Sequence, residues 1–244
     1  MSGHPSRGHG PVLVLTGVSK DYHGLRPLRV EALTLGAGDR TALVGLDQPM
    51  AETFVNLVTG ATLPEHGEIV AFGQSTASIA DSAAWLAVVD RFGIVSARAV
   101  LLEALSVEQN LAMSFTLDIE PLSDEVRARV APLAREVELP EAAWARPAGE
   151  VGEADRVRVR LARALALEPD VLVLEHASAG LAAPEAAALA ASIRAVVSRR
   201  RIALVAVTAD REFAAAVATR VLTLEPATGR LVDRRAGLFG RLFS

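Results

Sequence analysis

Residues 41–60 read TALVGLDQPMAETFVNLVTG. The run Thr41–Val44 is short, apolar and rich in strand formers. Gly45 breaks it, a polar stretch follows, and from about residue 53 the apolar positions recur at helical spacing. Strand, tight turn and helix in that order are the setting of a phosphate-binding loop, whose pattern is G-x-x-x-x-G-K-[ST]. Gly45 supplies the first glycine. The second glycine position holds Met50, the lysine position Ala51 and the hydroxyl position Glu52.

Outward from this stretch the chain keeps alternating. Upstream, VLVLTGVSKDYHG and LRVEALTLGAGDRTALVGL carry β-rich runs separated by Gly, Asp and His turns, predicting antiparallel strands. Downstream, GEIVAFGQ and FGIV (92–95) read as strands. From about Ala97 to Glu150 the periodicity turns helical, with Ser123 capping an amphipathic helix that Pro140 and Pro147 bring to an end. An arginine-rich helix, EADRVRVRLARALALEP, leads into the buried strand DVLVLEH. Two further helix and strand pairs follow, ending in VLTLEP. Strands with apolar cores alternating with helices predict an α/β fold whose parallel sheet is covered on both faces.

Composition sets bounds. The chain has 244 residues, 51% of them hydrophobic, a net charge of −4 and no cysteine. It is long enough for one large α/β domain, and no apolar run approaches the roughly 20 residues that span a bilayer. The acidic balance argues against a general nucleic-acid binder, and the lack of thiols excludes disulfides and thiolate metal sites. Lys20 is the only lysine. Residues 1–11, rich in Gly, His and Ser, read as a disordered tail, with His4 and His9 as its candidate metal ligands.

Four stretches carry a resemblance to the nucleotide-binding subunit of ABC transporters. RVRVRLARALALEPDVLVLEHASAGL resembles the signature helix, Walker B strand and D-loop. VTADREFAAAVATRVLTLE resembles the switch-histidine strand and the helix after it. LVTGATLPEHGEIVAFG and LLEALSVEQNLAM resemble the segments after Walker A and after the Q-loop. The resemblance implies a P-loop NTPase (RecA-like) core with an N-terminal antiparallel β subdomain and an inserted helical subdomain. It covers a single domain at 12–232, with a helical lobe at about 97–150 and a C-terminal tail at 233–244.

It also implies a nucleotide site at Tyr22, Gly45, Leu46, Asp47, Gln48, Pro49, Met50, Ala51, Glu52, Thr53 and Ala97, with Tyr22 the candidate for stacking on adenine. In the family, the loop lysine holds the phosphates and the neighbouring hydroxyl coordinates magnesium. The Q-loop glutamine reaches the metal and senses the membrane partner. Here these positions are Ala51, Glu52 and Ala97. The signature segment LSGGQ corresponds to Val151, Gly152, Glu153, Ala154 and Asp155. The Walker B aspartate is Glu175, the catalytic glutamate His176, the D-loop aspartate Ala182 and the switch histidine Ala209. Thr53 and Ser178 are retained.

These substitutions remove the loop cation, a metal ligand, a general base and a γ-phosphate sensor, so no catalytic residue is expected. Glu175, His176 and Ala209 stand as degenerate equivalents. A carboxylate about 4 Å from a phosphate charge costs roughly 1 kcal/mol in water-like surroundings and roughly 4 at an intermediate dielectric. A helix N-terminus offers an anion about 0.3–1 kcal/mol, up to ~2 when partly buried. With no positive centre expected in the cradle, repulsion prevails. No metal and no cofactor are predicted; ATP and magnesium would bind only if the family activity persists. The helix after the loop still needs partners for its first N–H groups, which Asp47 or Glu52 could supply from within.

The expectation is therefore a pseudo-ATPase: a non-catalytic subunit, cytoplasmic and peripheral to the inner membrane. The resemblance implies a transmembrane partner docking near 97–115, and a second, active cassette as a possible companion. Two rivals remain, a working ATPase using Glu175 for magnesium and His176 as base, and a free-standing regulatory binding module. His176 at the strand end reads as an ordinary, satisfied polar residue. Arg156, Arg160 and Arg163 share one helix face, read as structural pairing with acids such as Glu153 and Asp155 or as a phosphate-binding face. Residues 234–244, RRAGLFGRLFS, would form a basic amphipathic helix suited to a membrane surface or to docking on the protein's own domain.

Overall fold

The leucine and valine alternation that opens the chain forms a long antiparallel pair. In the computed structural model, which describes residues 10–233, β1 (Pro11–Lys20) pairs with β2 (Leu28–Gly36) so that Leu13 faces Leu35, Leu15 faces Leu33 and Val18 faces Val30. All six side chains are buried, as expected of a sheet with one face against a core. β3 (Arg40–Val44) then enters a second sheet and leads into α1 (Gln48–Val58). β4 (His66–Ala71) returns to the free side of β1, followed by the two-residue β5 (Gln74–Ser75), α2 (Ser82–Val89) and β6 (Phe92–Val95). The expectations for 1–9, including His4 and His9, and for 234–244 lie outside the described residues.

The second half builds the helical layer. α3 (Val107–Ala112) and α4 (Asp124–Glu136) occupy the stretch expected to be helical, and Ser123 caps α4 as its sequence suggested. α5 (Glu153–Leu165), β7 (Val171–Glu175), α6 (Ala183–Arg200), β8 (Ala203–Val207), α7 (Arg211–Val217), β9 (Arg220–Glu225) and β10 (Arg230–Asp233) complete the chain. The sheets run β2-β1-β4-β5 and β10-β9-β3-β8-β7-β6. In the larger sheet all pairings are parallel except β10 on β9.

Period-two alternation sorts the larger sheet's side chains between two cores. Leu172, Leu174, Leu204 and Ala206 face the cluster under α3 to α7. Val171, Val173, Val205 and Val207 face α1 and the antiparallel sheet. Each of these buried aliphatic side chains contributes roughly 1.5–3 kcal/mol. Their carboxyl ends set out the loops after β3, β6, β7 and β8 along one edge, the usual place for a site in a parallel sheet. Among the described residues no helix is long and apolar enough to cross a membrane.

Candidate functional site

The site begins where β3 ends. Gly45 has φ +93°, and a Cβ there would lie 3.2 Å from the carbonyl oxygen of Leu224. Only glycine suits that turn, so its retention follows from packing against β9 without reference to any phosphate. Beyond it the expectation of a loop running to residue 53 is corrected: α1 already starts at Gln48. Asp47 is its N-cap, accepting from the Met50 N–H at 2.9 Å, and Pro49 sits in the first turn, where its missing N–H costs nothing. The Ala51 N–H donates to the Asp47 carbonyl at 2.9 Å. Of the two carboxylates considered for this cap, Asp47 serves and Glu52 does not.

Leu46, Met50 and Ala51 are buried at 2%, 6% and 0% exposure in the core with Phe54. At the positions the resemblance implies for a phosphate cradle, these side chains pack as core. Thr53 donates its hydroxyl to the Pro49 carbonyl at 2.8 Å.

Glu52 turns instead toward Arg98, and this overturns the expectation that no positive centre remains. The Arg98 Nη1 lies 3.3 Å from Glu52 Oε1. Its Nε and Nη2 lie 3.1 and 2.5 Å from Glu175 Oε1 and Oε2, a two-pronged pair. Gln48 donates its side-chain amide to Glu175 Oε1 at 2.7 Å. The Glu175 side chain is fully buried, whereas those of Arg98 and Glu52 are 37% and 46% exposed. The guanidinium pKa is raised, first by the hydrogen bond to Glu175 and further by the charges of Glu175 and Glu52, against the opposing effect of burial.

Both Glu175 oxygens are thus engaged by protein donors. A magnesium ion would need oxygens facing an open position; here the donor set closes on an arginine, and the residues present do not fit that ion. Glu52 and Glu175 set two carboxylates against the Arg98 guanidinium, so the cation is consumed locally. Arg98 follows Ala97 directly in the sequence, and a base beside a position implied to reach the metal was the signal that could have revealed it.

His176 takes φ +47°, the left-handed region that few side chains adopt. Its Nε2 is buried and finds no hydrogen-bond partner among the described residues, which corrects the reading of a satisfied polar side chain. It lines a cavity of about 50 Å³ with Ser96, Ala97, Glu153 and Arg160. No group of three or more metal-ligating side chains occurs among the described residues. Ala209 is exposed just before Asp210, which caps α7 by accepting from the Phe213 N–H at 2.9 Å. Tyr22, at the end of the first hairpin strand, packs on the core beside α1. Burial raises its phenol pKa, with the Asp47 and Asp21 carboxylates adding to the effect.

The arginine face of α5 does pair, though mainly with main-chain oxygens. Arg156 donates to the Ala148 and Gly149 carbonyls at 3.2 and 2.7 Å. Arg160 donates to Ala99 O at 3.2 Å and to Glu153 at 3.1 Å. Arg163 donates to Val100 O at 2.8 Å. Its pKa is lowered by burial first and by the Arg160 charge second. Gly152 caps α5 without a side-chain acceptor, and the first turn carries Glu153 and Asp155.

The family model described as ABC transporter matches residues 29–179. The nickel import ATP-binding protein NikO of Rhodobacter capsulatus is 35% identical over 174 residues, 70% of this chain and 68% of the relative. The sulfate/thiosulfate import ATP-binding protein CysA of Methylococcus capsulatus is 30% identical over 217 residues, 86% and 59% of the respective chains. The chain spans about three fifths of the length of such sulfate/thiosulfate relatives. In fold it is similar to cbiO1 from Clostridium perfringens, part of the ABC transporter complex cbiONQ, with a TM-score of 0.75 at 19% identity, covering 96% of this chain and 92% of that one.

Proposed function

Because the chain belongs to the ABC transporter ATP-binding family, we propose that it serves such a transporter as a subunit without ATP hydrolysis, structural or coupling in role. The observation that carries this is the Arg98 guanidinium held between Glu52 and Glu175, at the positions where the family resemblance puts the metal. Phosphoryl transfer is catalysed mainly by positioned positive charge around the phosphates. Here that charge is neutralised by the protein's own carboxylates, and the first-turn N–H of Met50 is taken by Asp47. His176 Nε2 is buried and makes no hydrogen bond to a carboxylate among the described residues, so no acid orients it through that atom as a general base.

We read residues 12–232 as one cassette-like domain with a helical lobe at about 97–150, peripheral to a membrane through a transmembrane partner. The relatives' names describe import, which supports a place in an import system. A groove of about 390 Å³ beside the lobe, lined by Phe92, Ile94, Met113 and Leu167, with Val100 and Leu102 exposed nearby, supports docking of the partner near 97–115.

Isothermal titration of the full chain with Mg-ATP tests the reading. No heat of binding up to millimolar nucleotide, and no phosphate release, are expected. Micromolar binding with turnover would instead establish a working ATPase with unusual residues.

A further inference from the structure

The segment joining β6 to α3, residues 96–106, has no regular structure of its own, yet it is held along most of its length. Ser96 Oγ accepts from the Arg98 N–H at 3.1 Å, and the Ala99 N–H returns to Ser96 O at 3.0 Å, closing a turn that presents Arg98 to the sheet edge. Arg98 then reaches Glu175 at the end of β7 and Glu52 on α1. The next two carbonyls, Ala99 and Val100, are taken by Arg160 and Arg163 of α5. Further on, Asn110 of α3, fully buried, accepts from the Leu102 N–H at 2.8 Å and donates to the Leu102 and Leu105 carbonyls at 3.0 and 3.3 Å.

The Glu103 and Leu105 carbonyls also accept from the Gly149 and Ala148 N–H groups at 3.0 and 2.8 Å; the Asn110 contacts lie within the stretch 96–112 itself, and the α5 arginines bind the segment to a neighbouring helix. Arg98 alone among them ties it to the parallel sheet and to α1. We propose that Arg98 is a ligand-independent latch, an internal cation that holds the β6–α3 segment, and the helical stretch behind it, in one position on the sheet edge. The chemistry suits this role: a two-pronged guanidinium–carboxylate pair fixes orientation as well as distance, which a single ammonium would not. The buried carboxylate cannot be left alone without an uncompensated charge, so the closed arrangement is strongly favoured. The inference stands on these contacts alone and holds whether or not the chain hydrolyses ATP.

Hydrogen exchange on the full chain tests it, comparing the wild type with Arg98→Met/Glu175→Gln, which removes the latch and its buried charge together. Arg98→Ala alone risks unfolding through the stranded Glu175 carboxylate, and the double variant avoids that. Amides of 97–105 are expected to exchange about tenfold faster in the double variant, while those of β3, β7 and β8 keep their rates. Arg98→Lys, retaining charge without the fork, should fall between. Unchanged exchange in 97–105, or a parallel rise in every segment, would overturn the latch. Nucleotide titration of the wild type decides the separate question of ATP use.

Discussion

Arg98 and Glu175 show why a residue's role depends on what lies opposite it. Removing one partner of a buried pair strands the other, at roughly 3–5 kcal/mol. With over a third of the Arg98 side chain open to solvent, Arg98→Ala should cost about 3 kcal/mol, the low end of that range. Arg98→Met/Glu175→Gln should lose no more than about 1 kcal/mol, since neutral side chains of similar size relieve the desolvation penalty. Urea denaturation of both variants measures the difference. Because the guanidinium pKa is raised in the fold and an unfolded arginine is itself charged throughout the neutral and mildly alkaline range, the pair's stabilisation should not vary across that range. Tyr22 behaves differently. It is the only tyrosine, so tyrosinate absorbance reports on it alone. With its folded pKa raised, its contribution is complete below the unfolded value near about 10 and is lost as pH rises through the folded value. The expected titration midpoint lies above that of the denatured chain, and Asp47→Asn should bring it down.

α1 shows how one helix start governs a whole run of loop positions at once. Asp47 and Pro49 start the helix at Gln48, and Leu46, Met50 and Ala51 join the core. Restoring the expected lysine at 51 would therefore place a charged, longer side chain where none fits. Ala51→Lys is predicted to destabilise the protein by at least about 1–3 kcal/mol, the usual cost of overpacking, without conferring Mg-ATP binding. Thermal denaturation and titration of the same variant check both halves. Elements with strong local signals were legible: FGIV matches β6 to the residue, and the Ser123 cap matches α4. The Asp47 cap was legible, but the start of α1 at Gln48 was not, because the apolar periodicity that marks a helix becomes clear only from about residue 53. α2, SAAWLAVV, was missed because nearly every residue is apolar, leaving no polar face to set a period. β10 exists through its pairing with β9, a partner that local pattern does not name.

At the scale of the whole molecule the order of elements was legible, because each strand and helix carries its own periodicity. The convergence of Gln48, Glu52 and Glu175 at the sheet edge was legible from the loop and strand order, and their capture of Arg98 was not. Arg98, Glu52 and Glu175 are far apart in the chain, and no spacing rule joins them. The same long-range view bears on assembly. In the family resemblance two cassettes close around nucleotide, each site completed by the other copy's signature segment. In this chain the loop side carries Glu52 and Glu175 around Arg98, with Asp47 capping α1, and the signature segment presents Glu153 and Asp155 at the start of α5. Glu153 is already paired with Arg156 and Arg160. In such a closure Arg98 and Arg160 would meet the nucleotide already paired with Glu52, Glu175 and Glu153. A triphosphate between the two faces would add negative charge to both sides. Sedimentation velocity of the full chain is therefore expected to give the same species with and without millimolar Mg-ATP, whereas nucleotide-driven conversion to a dimer would show that the two faces do close around a ligand.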